Sequence, residues 1–179
     1  MRAIRFAGCL TASMTLGLCL SGLPALAHGM PEHTHAKAAL STGLTLVIDG
    51  KATKLSVAEL QSIPQKTITV HNPHTKMNES YTGVELSELL AKYGVALNKT
   101  TQRHILRSYL RVEGTDHYFV LYSAAEVEGE IHNGDVIVAT GMNGSGLGED
   151  GAIKLVASGD KKPMRWVRNA TKITFVTVD

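Results

Sequence analysis

Thiol chemistry has almost no foothold in this sequence. Of 179 residues only two are cysteine, Cys9 and Cys19, and both fall within the first 27. Those 27 residues run from a basic start (Arg2, Arg5) through an apolar stretch to Ala25-Leu26-Ala27. That is the layout of a cleaved export leader with small residues at the cut. A membrane anchor would need about 20 apolar residues without this exit. A lipid anchor would need a small residue before Cys19, where Leu18 stands. Cleavage after Ala27 leaves a chain with no cysteine, which excludes a disulfide, a thiolate metal ligand and a cysteine nucleophile. Arg2 and Arg5 are not adjacent, so the twin-arginine signal used for folded, cofactor-loaded cargo is also missing. The expected location is periplasmic or secreted, with no stable membrane anchor.

Excess charge of either sign is absent too. The whole chain has 18 basic and 16 acidic residues, and loss of Arg2 and Arg5 brings the two into balance. A neutral chain argues against nucleic acid or anionic lipid as the main partner. No Ser-His-Asp pattern and no paired-carboxylate signature stands out. The glycine-rich stretch GMNGSGLGEDG (141–151) has no Lys-Ser/Thr at phosphate-loop spacing.

What remains is one domain of short strands. Residues 28–43, HGMPEHTHAKAALSTG, have no hydrophobic period and read as a flexible arm. LTLVID (44–49) alternates as a strand and ends in an Asp49-Gly50 turn. Ser56 and Glu59 form a capping box for a short helix that stops before Pro64. KTITVHN (66–72) is the next strand, followed by the polar turn HNPHTKMN (71–78) and a Tyr81-Thr82-Gly83 turn. VELSELLAKYG (84–94) has helical spacing and a glycine C-cap. HILRSYLRVE (104–113) and HYFVLY (117–122) read as a hairpin, and Ser123–Glu126 as a second capping box. DVIVAT (135–140) is a nearly continuous apolar run suited to a central strand. AIKLVA (152–157) and TKITFVTV (171–178) complete the set. Strands predominate without regular alternation with helices, which predicts an α+β fold of β-rich mixed sheets with short helices. Three polar or glycine-rich connections would form a cleft if they lie on one side.

The order of these pieces resembles the oxidoreductase molybdopterin-binding domain, the central domain of sulfite oxidases. LSVAELQSIPQKTITV is similar to that family's opening helix and strand. YTGVELSELLAKYGV (81–95) resembles its aromatic-x-Gly-Val-x-Leu-x-x-Leu-Leu segment, and DVIVATGMNGSGL (135–147) its Met-Asn-Gly turn. AIKLVASGDKKPMRWVRNATKITF resembles the terminal segment, in which a basic loop precedes Trp-Val. The likeness spans residues 44–179. It implies the sulfite-oxidase-type fold and a molybdopterin pocket whose metal is ligated by a cysteine before the aromatic-x-Gly segment. Counting back from Tyr81, that position falls at about His71, so imidazole stands where the family has thiolate. Because the family's cofactor is inserted inside the cell, a chain exported unfolded and without thiols is not expected to carry cysteine-ligated molybdenum.

Several candidate sites follow. His71, Asn72 and His74 offer nitrogen and amide donors at one strand end, though Asn-Pro also starts ordinary turns. The basic loop Ser158, Gly159, Asp160, Lys161, Lys162, Arg165 matches the terminal part of the family's pterin pocket. Its cations, Lys161 and Arg165 above all, are candidates to clamp a phosphate or carboxylate. Asn143, in the Asn-Gly-Ser-Gly turn, lets backbone N–H groups approach an anion. Trp166 reads as a core plug with a bonded indole N–H. Removal of the leader would make His28 the first residue, and His28, Met30, His33 and His35 together suit copper or zinc. The leading expectation is an exported domain binding a small anionic or pterin-like ligand, or a periplasmic protein partner. The rivals are a molybdopterin oxidoreductase with His71 or solvent in place of sulfur, and a copper- or zinc-handling protein using the arm.

Overall fold

The computed structural model describes residues 39–96, 99–129 and 132–178. The leader, most of the arm and the four arm donors His28, Met30, His33 and His35 lie outside them.

Among the described residues, nine strands form two sheets. One is ordered β2-β1-β9-β5-β6 and the other β3-β4-β7-β8. In the first, β1 (Gly43–Ile48) pairs antiparallel with β2 (Lys51–Ser56) and parallel with β9 (Ala170–Thr177), and β5 (Ser108–Gly114) joins β9 to β6 (Phe119–Ser123). In the second, β3 (Gln65–Asn72), β4 (Met77–Glu85), β7 (Val136–Met142) and β8 (Lys154–Ala157) are all antiparallel neighbours. Four short helices, α1 (Val57–Gln61), α2 (Leu86–Lys92), α3 (Gln102–Ile105) and α4 (Ala124–Glu128), fill the connections. This is the α+β architecture expected. None of the described helices is long and apolar enough to cross a membrane.

Local chemistry explains most boundaries. Asp49 and Gly50 both have positive φ, 48° and 76°, as a two-residue turn between twisted strands requires. Both capping boxes form: Glu59 N–H donates to Ser56 Oγ at 3.2 Å, and Glu126 Oε2 accepts from Ser123 N–H at 2.9 Å. β7 (up to Ala139) and β8 (after Lys154) run apolar because both of their faces are covered; Ile137, Val138, Leu155 and Val156 are all buried. The core is one continuous cluster that takes in Leu44 and Leu46 of β1, Leu110 of β5, Ile173 of β9 and Leu86, Leu89 and Leu90 of α2.

The structure corrects the sequence reading at four places. Tyr81–Gly83 is not a turn but lies inside β4, which starts at Met77. Val84 and Glu85 extend that strand, pairing with Val138 and Ile137, so the helix starts only at Leu86. Residues 104 and 105 belong to α3, so the following strand begins at Ser108. β2 was not expected; its two lysines hid a strand at a sheet edge, where outward positions are solvated.

Candidate functional site

A cleft of about 600 Å³ opens where the connections of both sheets meet. That is within the range of small-molecule sites. All three connections picked out in the sequence reach it. Asn72 and His74 come from the β3–β4 turn, Asp150 from the glycine-rich segment, and Pro163, Met164, Trp166 and Arg168 from the basic loop. The β5–β6 turn adds Asp116 and Tyr118, and Lys154 enters from the start of β8.

Lys154 organises the wall. Its side chain is only 7% exposed, in a strand that is otherwise apolar. A buried ammonium is tolerated only when paired and hydrogen-bonded. Nζ donates to Tyr81 Oη at 2.8 Å and to Asp150 Oδ2 at 2.7 Å, and lies 4.7 Å from the Tyr81 ring centre and 5.6 Å from that of Trp166. Two of its three N–H groups are thereby engaged, and the residue lines the cleft. Tyr81 passes the chain inward, its hydroxyl donating to Glu79 Oε2 at 2.7 Å.

Glu79 is a buried carboxylate, with Asn72 Nδ2 at 2.9 and 3.0 Å from its two oxygens and Thr75 Oγ1 at 3.0 Å. Burial pushes its pKa up, but the bonds from Tyr81, Asn72 and Thr75 and the charge of Lys154 outweigh that and hold it below the ordinary value. Burial first, and then the bond to Glu79, push the Tyr81 phenol up, so it stays a neutral link. Asp150 also faces Arg168, whose Nε is 3.8 Å from Oδ1; that side chain is 74% exposed and the pair is correspondingly weak. The cleft wall thus carries two carboxylates, Asp116 and Asp150, and two cations, Lys154 and Arg168.

The sequence candidates separate on this geometry. Strand alternation turns the His71 side chain to the outer face, where Nδ1 meets Asn78 Oδ1 at 3.2 Å beside the Thr67–Thr82 and Thr69–Ser80 hydroxyl pairs. The inward-facing residues at this strand end are Val70 and Asn72, on either side of His71. His74, whose N–H donates to Asn72 Oδ1 at 2.9 Å, lines the cleft instead.

Asn143 is tied into the fold, its backbone N–H donating to Ser80 O at 2.7 Å. At φ 53° it ties the β7–β8 turn to β4, Oδ1 accepting from Ser80 N–H at 2.9 Å. Ser158 Oγ accepts from Asp135 N–H at 2.7 Å. Arg165 is not free to clamp a ligand. Glu126 and Asp160 hold its guanidinium, which lies 4.5 Å from the Tyr122 ring centre, and together with Gly159 these residues line a separate, much smaller recess. Lys161 and Lys162 are exposed and are not part of the cleft wall. Trp166 is buried, its indole N–H donating to Ala157 O at 3.0 Å. The sequence reading missed Glu79, Asp116, Tyr118, Asp150 and Lys154. Only Lys154 had a visible signal, as the one charge in the run AIKLVA.

The model of the oxidoreductase molybdopterin-binding domain matches residues 33–177, well over half of the chain. The chain belongs to that family. Among solved structures it is similar to the sulfane dehydrogenase SoxCD from Paracoccus pantotrophus, at 20% identity and a TM-score of 0.59, over 78% of this chain and 40% of that one. At that identity the likeness shows the fold, and the molybdopterin-domain chain spans well under half of the larger protein. No curated protein matches.

The family suggests a molybdopterin, and the residues present fit only part of it. The described residues contain no cysteine, and no three of His, Cys, Asp and Glu converge among them as metal ligands. The inward strand-end position is held by an amide that is already committed to Glu79. This donor set lacks the soft anionic sulfur that holds a metal in the family. Carboxylates, cations and an aromatic wall suit the organic part.

Proposed function

We propose that this molybdopterin-domain protein is exported and takes up a flat, pterin-like heterocycle with an anionic tail, without a metal held by protein sulfur. The observation that carries this reading is Lys154, a buried ammonium held by Tyr81 and Asp150 at the cleft wall. A simple anion would meet Asp116 and Asp150 as well as the two cations. A heterocycle with an amino-imide edge uses both signs: its N–H groups donate to a carboxylate, and its tail pairs with Arg168. The leader pattern of residues 1–27 supports export, and the absence of cysteine beyond residue 19 supports a ligand held without sulfur.

Isothermal titration of the purified chain with a pterin bearing a phosphate-terminated side chain tests this. Saturable binding is expected, and Arg168→Ala should weaken it about tenfold, the loss of one charged hydrogen bond. The same pterin without phosphate should be little affected by the substitution. No saturable heat, or inorganic phosphate binding as tightly as the phosphorylated pterin, would defeat the reading.

A further inference from the structure

We propose that β6 is the seam of a two-fold homodimer in which the five-stranded sheets of two copies join edge to edge. Sheet edges invite pairing unless they are protected, and three of the four edges here are. β2 carries exposed Lys51 and Lys54, and β3 carries Lys66, Thr67, Thr69 and His71. β8 is covered by the chain that follows it, with Leu155 N–H donating to Val167 O at 2.9 Å and Ala170 N–H to Ile153 O at 2.9 Å. β6, with the sequence FVLYS, has no charge, no proline and no bulge against β5. Among the described residues no strand pairs with its other side.

The hydrogen-bond pattern decides which groups are free. Gly114 N–H donates to Tyr118 O at 2.9 Å, and Val112 and Leu110 stand opposite Val120 and Tyr122. The Tyr118 N–H turns back to Asp116 Oδ1 at 3.0 Å. Antiparallel ladders alternate, so Val120 and Tyr122 direct their backbone groups at β5, while Phe119 and Leu121 direct theirs outward. The same two residues carry the exposed apolar side chains, 49% and 51% accessible.

A second copy fits this edge in one register without further adjustment. With the two-fold axis at Val120, Phe119 stands opposite Leu121 of the other copy, and Leu121 opposite its Phe119. Each pair exchanges two backbone bonds, so all outward N–H and C=O groups of both residues are satisfied. Each also sets an aromatic ring against an aliphatic side chain across the strands. The contact is isologous, so it closes at two copies. Tyr118 and Met164, 48% and 71% exposed, line the cleft and take no part in the seam. Phe119 and Leu121 offer roughly 200 Å² between them, taking about 200 Å² for each whole side chain. A stable interface takes about 800 Å² per partner. The strand backbone adds to the total but does not close that gap, so the dimer is reversible.

Sedimentation velocity across a concentration series, with amide exchange at Phe119 and Leu121, tests the proposal. A monomer–dimer equilibrium in the micromolar range is expected, with those two amides becoming protected as the dimer forms. Leu121→Lys, which gives β6 the protection β2 already has, should leave a monomer with unchanged circular dichroism. A monomer at every concentration would overturn the proposal, as would a dimer that survives Leu121→Lys. Protection of the two amides in the dilute monomer would also overturn it, and would assign the edge to the chain's own N-terminal arm.

Discussion

Lys154→Met is expected to destabilise the fold by about 3–5 kcal/mol at neutral pH, the range found when one member of a buried ion pair is removed. Methionine fills similar volume, so the loss is electrostatic rather than a cavity. It strands Asp150, which loses its bond at 2.7 Å, and leaves Tyr81 Oη without a donor. Glu79 loses the charge that helps to hold its pKa below the ordinary 4.5. The pH dependence gives this prediction its signature. In the native protein a depressed carboxylate stabilises the fold above its unfolded-state pKa, and that contribution is lost as pH falls through the folded value. In the variant Glu79 is less depressed, so less stability remains to be lost in acid. The deficit should therefore shrink between pH 7 and pH 4. Urea unfolding at both pH values measures it. A variant as stable as the native chain at pH 7 would mean that the buried chain of bonds contributes nothing.

The second large effect lies in β4. Gly83→Ala should cost at least about 3 kcal/mol, the upper part of the range for overpacked sites, or abolish folding. A Cβ at position 83 would come to 2.2 Å from Val138 O and 2.5 Å from Ala139 Cα. Both are backbone atoms of β7, an interior strand that cannot give way without disturbing its own pairing with β8. The bulge between Thr82 and Gly83 depends on this close approach, and it sets the position of Tyr81 two residues earlier. Gly146→Ala is the control, since nothing lies within 4 Å of the Cβ it would add. It should stay within about 0.5 kcal/mol of the native chain. Equal thermal midpoints for the two variants would contradict the packing described here.

The fold was legible wherever a local signal had a local cause. The Asp49-Gly50 turn, the two capping boxes and the apolar run of β7 each act within a few residues, and each formed as expected. Tyr81-Thr82-Gly83 was misread because glycine usually marks a turn. Here its cause is distant, the backbone of β7 more than 50 residues on. The site was legible at the level of its connections, since all three polar segments reach the cleft. It was much less so at the level of side chains. Whether His71 or Asn72 faces inward depends on strand parity. Whether Arg165 is free depends on Glu126 and Asp160, one of them 39 residues away and invisible as a partner in the sequence.

On the function proposed above, this member of a molybdopterin-binding family keeps the pocket without sulfur to hold the metal. Native mass spectrometry of the protein purified from the compartment it occupies in its own cells, with molybdenum determined on the same sample, tests it most directly. The expected result is the chain, alone or with an organic ligand of pterin type, and far less than one molybdenum per chain. One molybdenum per chain, retained through purification, would contradict it.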